Sequence, residues 1–302
     1  MITNLEGSII FDIFWTGAFR SAMPWAETLF RGITELGSDY FYMILIAIGY
    51  WTVNKRTSII TTFVLATSST SNYWLKIIFK NPRPPVINWL PGVHVSNYSL
   101  PSAHAQNSMT IWGWLAIKIK TWWMKSLSVI LIGLIGLSRV YIGVHWFSDV
   151  IIGWAFGFFL LVILWKLEDP ICSAISRYKT NLVLLCVIVF GIGVTFLTEF
   201  LSPVIVEGLE TNFGPNGGLI IGLGVGLALE KRYVNFEITP RNRGKWRLVL
   251  RIILGLTMVF AISANLSIML SGEVYWMCAI RYALITISVL FVWPFLFKRL
   301  NL

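Results

Sequence analysis

Apolar runs of about 17–25 residues recur from one end of this chain to the other, the length a helix needs to cross the hydrocarbon core of a bilayer. With no water to satisfy backbone polar groups in lipid, such runs fold as helices, whose backbone bonds close within the segment. The expected fold class is therefore all-α: a polytopic helical membrane protein with about nine transmembrane helices. The segments read as spans are 38–54, 58–79, 103–121, 124–143, 146–166, 181–201, 215–230, 247–270 and 274–297. Composition agrees, because only 13% of residues are charged, against roughly 25% in a soluble domain.

Ahead of these spans, residues 8–36 mix Trp15, Trp25, Arg20, Arg31 and Pro24 with apolar residues, which reads as helix lying in the membrane interface. The chain then divides into an interfacial N-terminal segment (1–37), a helical core (38–170) and additional C-terminal helices (171–302). Glu6 and Asp12 occupy the place where a cleavable signal would carry basic residues, so none is expected. Cys172, Cys186 and Cys278 are scattered and read as small hydrophobes, with neither disulfide nor metal-ligand spacing.

A net charge of +10 raises the question of nucleic acid, but the placement of the cations excludes it. Lys55/Arg56, Lys118/Lys120/Lys125, Lys166/Arg177/Lys179, the run 230–245 and Lys298/Arg299 all fall on one side of a nine-span chain. The positive-inside rule makes that side cytoplasmic. Loop 80–100 lies on the outer side and still carries Lys80 and Arg83, so these two need another purpose.

Three segments on the outer side share one chemistry. In "KIIFKNPRPP" (76–85), Lys76 and Arg83 are two helical turns or a helix end apart, and Pro82 and Pro84 stop the helix. In "PSAH" (101–104), Pro101 and Ser102 form an N-cap whose free backbone N–H groups make an anion site, with His104 beside it. In "SRVYIGVHWFSD" (138–149), Ser138 and Arg139 end one span, while His145 and Asp149 stand four apart on one face at the start of the next. A carboxylate there holds one imidazole nitrogen and leaves the other free as nucleophile or base. Together the cations and donors suit the oxygens of a phosphoryl group, with one histidine to attack and the other to protonate the leaving group. His145 alone has a carboxylate at this spacing, which favours it as the nucleophile. With no cluster of carboxylates or cysteines in view, no metal and no cofactor are expected, and the cations take the role that Mg²⁺ plays elsewhere. His94 reads as an interfacial residue.

Lys-x6-Arg-Pro, Pro-Ser-x-His and Ser-Arg-x5-His-x3-Asp in this order resemble the three-part signature of the type-2 phosphatidic acid phosphatase (PAP2) superfamily, which includes the soluble haloperoxidases. The resemblance rests on Lys76, Arg83, Pro84, Pro101, Ser102, His104, Ser138, Arg139, His145 and Asp149, and covers roughly residues 30–167. It implies an integral-membrane lipid phosphate phosphatase. In it His145 would form a phosphohistidine, oriented by Asp149. His104 would be acid and then base, while Lys76, Arg83, Ser102, the Ala103 N–H, Ser138 and Arg139 would bind phosphate. The family usually has Gly where this chain has Ala103; the methyl fits if the residue is helical and crowds the phosphate if φ is positive. The implied partners are a phosphorylated or diphosphorylated lipid and the membrane. The alternatives are a lipid phosphotransferase or sugar-phosphate phosphatase using the same site, and a lipid transporter or flippase. Localisation is the cell membrane, multi-pass, with the active site on the extracytoplasmic side.

The C-terminal part carries no piece of this signature. Gly218, Gly222 and Gly226 form a small-residue stripe that admits a neighbouring span or a second subunit, so a homo-oligomer through this face is one expectation. Arg281, two turns inside the last span, needs a partner, for which Glu199 and Glu210 are candidates; the alternative is a lipid headgroup.

Overall fold

The computed structural model describes residues 17–201, 213–238, 245–272, 274–300 and 302. Among them every regular element is helical. In chain order they are α1 (Glu27–Glu35), α2 (Asp39–Thr52), α3 (Lys55–Phe79), α4 (Ala103–Ile119), α5 (Trp122–Ile142), α6 (Phe147–Ser176), α7 (Thr180–Leu201), α8 (Gly214–Leu229), α9 (Lys245–Met269), α10 (Tyr275–Ile287) and α11 (Trp293–Arg299). Each of the nine apolar segments coincides with a helix from α2 onward, α10 running through a π turn (Ser288–Val292) into α11. By length and composition, five described helical stretches suit a bilayer crossing: Trp122–Ile142, Phe147–Ser176, Thr180–Leu197, Trp246–Met269 and Tyr275–Arg299. The chain is thus a multi-pass membrane protein.

The helices form two compact units. The first takes the described residues up to Tyr42 and Thr67–Leu167. Here the Ser- and Asn-rich end of α3 meets the polar start of α4. Asn72 donates to Gln106 Oε1 (2.9 Å), Gln106 donates to the Ser68 carbonyl (2.9 Å), and Ser68 donates to Asn107 Oδ1 (2.7 Å). All four side chains are buried. In an apolar medium such bonds hold helices together where apolar contact alone gives little preference. Gly153 and Gly157 then let α6 lie against α4. A Cβ on Gly153 would stand 2.8 Å from the Ser102 carbonyl oxygen, and one on Gly157 2.6 Å from that of Gln106. The start of α4 is thereby clamped between α3 and α6.

Residues 1–16 of the expected interfacial segment lie outside the described residues. Of the remainder, α1 buries Phe30, Ile33 and Thr34 and packs on α5, with the Phe30 ring stacked on Tyr141 at 4.4 Å. Trp25 and Leu29 are exposed. Arg20 donates to the carbonyl of Tyr141 (2.9 Å), an acceptor left open where α5 ends, and to that of Asn88 (2.7 Å) in the loop before α4. The chain leaves α5 through Gly143 at φ +86°, where a side chain would be strained and would also collide with the Asn88 carbonyl.

The second unit takes Met43–Ala66 and the described residues from Glu168 to Leu302. The π turn displaces carbonyls from the helical ladder. The Trp51 indole N–H donates to that of Val289 (2.9 Å), and the Tyr50 hydroxyl donates to that of Leu290 (3.5 Å). Buried Glu230 accepts from Lys55 Nζ (2.8 Å) and from the Phe236 N–H (3.0 Å), so its charge is both paired and hydrogen-bonded. Arg281 lies 3.7 Å from Cys278 Sγ, with its guanidinium 5.5 Å from the Tyr282 ring centre. Glu210 and the side chain of Glu199, its expected partners, fall outside the described residues.

The glycine stripe corrects one expectation. Gly218, Gly222 and Gly226 are covered by α10 and the following π turn of the same chain, not offered to a second subunit. A Cβ on Gly218 would come within 2.8 Å of the Ala279 carbonyl carbon, and one on Gly222 within 2.7 Å of Thr286 Cβ. Four-residue spacing signals close approach without saying whose helix approaches. Gly218→Val should lower thermal stability in detergent, by about 1–3 kcal/mol for overpacking at a rigid backbone contact. Gly193→Ala, which meets nothing within 4 Å, should be neutral or slightly stabilising. Equal melting temperatures for the two variants would contradict this packing.

Candidate active site

Three local structures deliver the site, all within the first compact unit. Helix α3 ends at Phe79, and Lys80 turns out of it at φ 48° with its N–H on the Lys76 carbonyl (2.9 Å). Lys76 therefore sits in the last turn of a helix and Arg83 in the loop beyond. Buried Lys76 donates to the carbonyls of Tyr98 and Ser99, the latter at 3.2 Å. Arg83 donates through Nε to the Asn97 carbonyl (2.6 Å), through one terminal nitrogen to the Val144 carbonyl (2.7 Å), and through the other to Asn97 Oδ1.

The second structure is the start of α4. Ser102 is its N-cap and accepts from the Ala105 N–H (3.5 Å). The first intrahelical bond runs from the Gln106 N–H to the Ser102 carbonyl (3.0 Å), so the Ala103 and His104 N–H groups precede the ladder. Ala103 is helical and absent from the positive-φ residues. Of the two cases distinguished for its methyl, the backbone is therefore the helical one.

The third is the turn from α5 to α6. His145 and Asp149 meet, with Nδ1 and Oδ2 3.3 Å apart, but not as two positions on one helix face. Helix α6 begins at Phe147, leaving His145 in the turn. Asp149 folds back to accept the Trp146 N–H (2.9 Å), which is the carboxylate half of a capping box. The same Oδ2 that caps the helix thus holds the imidazole. On the other side of the ring, Arg83 lies 3.1 Å from Nε2. A guanidinium can only donate, so Nε2 is the acceptor and Nδ1 carries the hydrogen directed at Asp149.

Burial pushes the His145 pKa well below its ordinary value, and the charges of Arg83, Lys76 and Arg139, with His104, push it the same way. Burial lowers Arg83 to about 10 against the opposing pull of Asp149, so it remains a cation at neutral pH. Arg139 is buried on α5; one terminal nitrogen donates to Thr34 Oγ1 (2.7 Å), while its Nε has no hydrogen-bond partner among the described residues. His104 lies within electrostatic reach of Arg139, Lys76 and Arg83. The Ser138 hydroxyl donates into its own helix, to the Ile135 carbonyl (2.6 Å). His94 is exposed in the loop. Among the described residues no three His, Cys, Asp or Glu side chains group as metal ligands. Among the described residues the cations Lys76, Arg83 and Arg139 outnumber the carboxylate Asp149, an arrangement able to receive an anion with several oxygens beside an imidazole whose Nε2 lone pair is engaged by Arg83.

Several residues that hold these groups escaped the sequence reading. Ser99 donates to Asp149 Oδ2, Asn81 donates to Asp149 Oδ1 (3.4 Å), Asn97 cradles Arg83, and Thr34 holds Arg139. The polar run "SNYS" (96–99), one residue ahead of Pro101, was the one visible signal.

Residues 57–171 match the family model described as PAP2 superfamily, and residues 216–302 match that described as PAP2 superfamily phosphatase, transmembrane extension. Phosphatidylglycerophosphatase B of Bacillus subtilis is 30% identical over 161 residues, which cover 49% of this chain and 78% of that protein. Sphingosine-1-phosphate phosphatase 1 of Rattus norvegicus is 34% identical over 161 residues, 48% of this chain but only 36% of its own length. A crystal structure of a transmembrane PAP2-type phosphatidylglycerolphosphate phosphatase from Bacillus subtilis aligns with a TM-score of 0.43 at 23% identity, covering 55% of this chain and 96% of that one.

The tautomer and charge of His145 can be read by nitrogen-15 NMR on histidine-labelled protein, assigned by difference with His145→Gln. At pH 6.5, where an ordinary histidine is half protonated, His145 should be neutral with its hydrogen on Nδ1. Protonation sets in only at lower pH. Half protonation at pH 6.5, or a hydrogen on Nε2 alone, would contradict the geometry.

Proposed function

The chain belongs to the PAP2 superfamily, and from that premise we propose that it is an integral-membrane phosphatase of phosphorylated or diphosphorylated lipids, working through a phosphohistidine without a metal. The observation that carries this reading is the imidazole of His145 held between Asp149 on Nδ1 and Arg83 on Nε2. Phosphate oxygens entering among Lys76, Arg83 and Arg139 draw the guanidinium of Arg83 to themselves and release the Nε2 lone pair. Nε2 attacks phosphorus, the P–O bond to the lipid breaks, and His104 gives its proton to the leaving oxygen. Asp149 stabilises the imidazolium character that develops on His145. In the second half His104 removes a proton from water, the oxygen bonds to phosphorus, and the N–P bond breaks. The Ala103 N–H at the head of α4 and the hydroxyl of Ser102 complete the oxygen contacts, as does that of Ser138 once it turns from the Ile135 carbonyl.

In the same reading nine helices cross the membrane, and residues 1–37 lie in its interface. Residues 38–170 are the catalytic core and 171–302 an added helical part. The basic loops support a site on the extracytoplasmic side, at headgroup depth, which favours lipid over soluble esters. The names of the relatives support glycerophospholipid and sphingoid phosphates as the substrates to try first.

The test is release of inorganic phosphate by purified protein from a panel of phosphatidylglycerol phosphate, phosphatidate, sphingoid phosphate and polyprenyl diphosphate. At least one lipid should be turned over, with or without a chelator, and His145→Ala should abolish release. His104→Ala should slow it by about 10²–10⁴-fold, the usual worth of general acid–base catalysis. Full activity of His145→Ala, no release from any of these lipids, or phosphoryl transfer only to an acceptor other than water would overturn the proposal.

A further inference from the structure

We propose that Ser99, which lies outside all three motif segments, is a positioning residue that fixes the tautomer and aim of the nucleophilic imidazole. This rests on the reading of His145 as nucleophile. Ser99 is fully buried, and each of its polar atoms meets a different part of the site. Its N–H donates to the Asn81 carbonyl (2.9 Å), tying it to the exit of α3. Its carbonyl accepts from Lys76 Nζ (3.2 Å). Its hydroxyl donates to Asp149 Oδ2 and stands 3.4 Å from His145 Nδ1.

A hydroxyl has one proton and two lone pairs. With the proton on Asp149, the side of the oxygen toward His145 is an acceptor, so it faces a ring nitrogen that must carry hydrogen. Ser99 and Asp149 therefore form one acceptor pair for Nδ1–H, and Arg83 reads the opposite nitrogen. Asp149 is also shared with the Trp146 N–H and with Asn81. Without the serine proton, its Oδ2 would be free to turn wholly toward the backbone N–H that it caps. The ring would then lose the constraint that keeps the Nε2 lone pair directed toward the phosphate receptor.

The same serine couples nucleophile and receptor. Lys76 reaches the site from α3 and His145 from the turn before α6; the backbone and side chain of Ser99 are a direct bridge between them. The positioning is expected to act in the transition state, when the imidazole gains charge, more than in ground-state lipid binding.

The experiment compares Ser99→Ala and Ser99→Thr with the wild type in detergent, with two readouts on the folded protein. Phosphate release by Ser99→Ala should show kcat reduced about 10–100-fold, the rate equivalent of a lost hydrogen bond to a charged group, with KM changed less than about threefold. Nitrogen-15 spectra should show His145 no longer confined to the Nδ1–H form. Ser99→Thr, which keeps the hydroxyl, should restore both signals where it folds. A folded Ser99→Ala protein with unchanged kcat, or with His145 still wholly Nδ1–H, would overturn the proposal. The spectra need no turnover, so failure of the phosphatase reading (a wild type releasing no phosphate) is separable from failure of the serine's role.

Discussion

A carboxylate buried in a membrane protein must be answered by donors, and Asp149 is answered by four: the Trp146 N–H, the Ser99 hydroxyl, the Asn81 amide and the His145 ring. Much of the site's architecture follows from satisfying that one group. It starts α6, it fixes the end of the loop that follows α3, and it sets the tautomer of the histidine. Replacing any single donor leaves the charge buried and partly unsatisfied, which is costlier than the bond itself is worth. The His145–Asp149 pair and the helix cap are one structure, so the pair inherits the rigidity of the fold.

Around this group the cations have few anions to meet among the described residues. Lys76, Arg83 and Arg139 are held largely by carbonyls, amides and hydroxyls, which orient them without neutralising them. In the proposed function these side chains are what meets a ligand that brings several oxygens. The polar seam between α3 and α4 and the glycine contacts of α6 serve the same end, since they fix where the head of α4 points. In the second unit small residues work differently. There Gly218 and Gly222 bring α8 and α10 together within one chain.

Much of this could be read from the residues in order. Apolar runs mark where the helices lie, and three spaced motifs mark Lys76, Arg83, Ser102, His104, Arg139, His145 and Asp149 because their chemistry is out of place in an oily chain. What could not be read depends on contacts between residues far apart in sequence. Thr34 touches Arg139 across 105 positions, and nothing in α1 announces it. Ser99 is a serine in a loop until folding sets it against Asp149, fifty positions on. The four-residue period of the glycines was visible, but a period carries no information on the identity of the partner helix. Backbone angle was hidden too, so the fitness of Ala103 in place of glycine had to await the helix that contains it. His145 was expected on a helix face and stands instead in the turn before it, because spacing alone does not distinguish a helical pair from a capping carboxylate.

The central claim is that phosphate passes through the Nε2 of His145. The most direct measurement is rapid acid-free quenching of His104→Ala protein during reaction with a phosphorylated lipid, followed by proteolysis and mass spectrometry under alkaline conditions. Without His104 to activate water, an acid-labile phosphoryl group should accumulate on the peptide that carries His145. A phosphoryl group on any other residue, or sustained turnover with His145 never modified, would contradict the account.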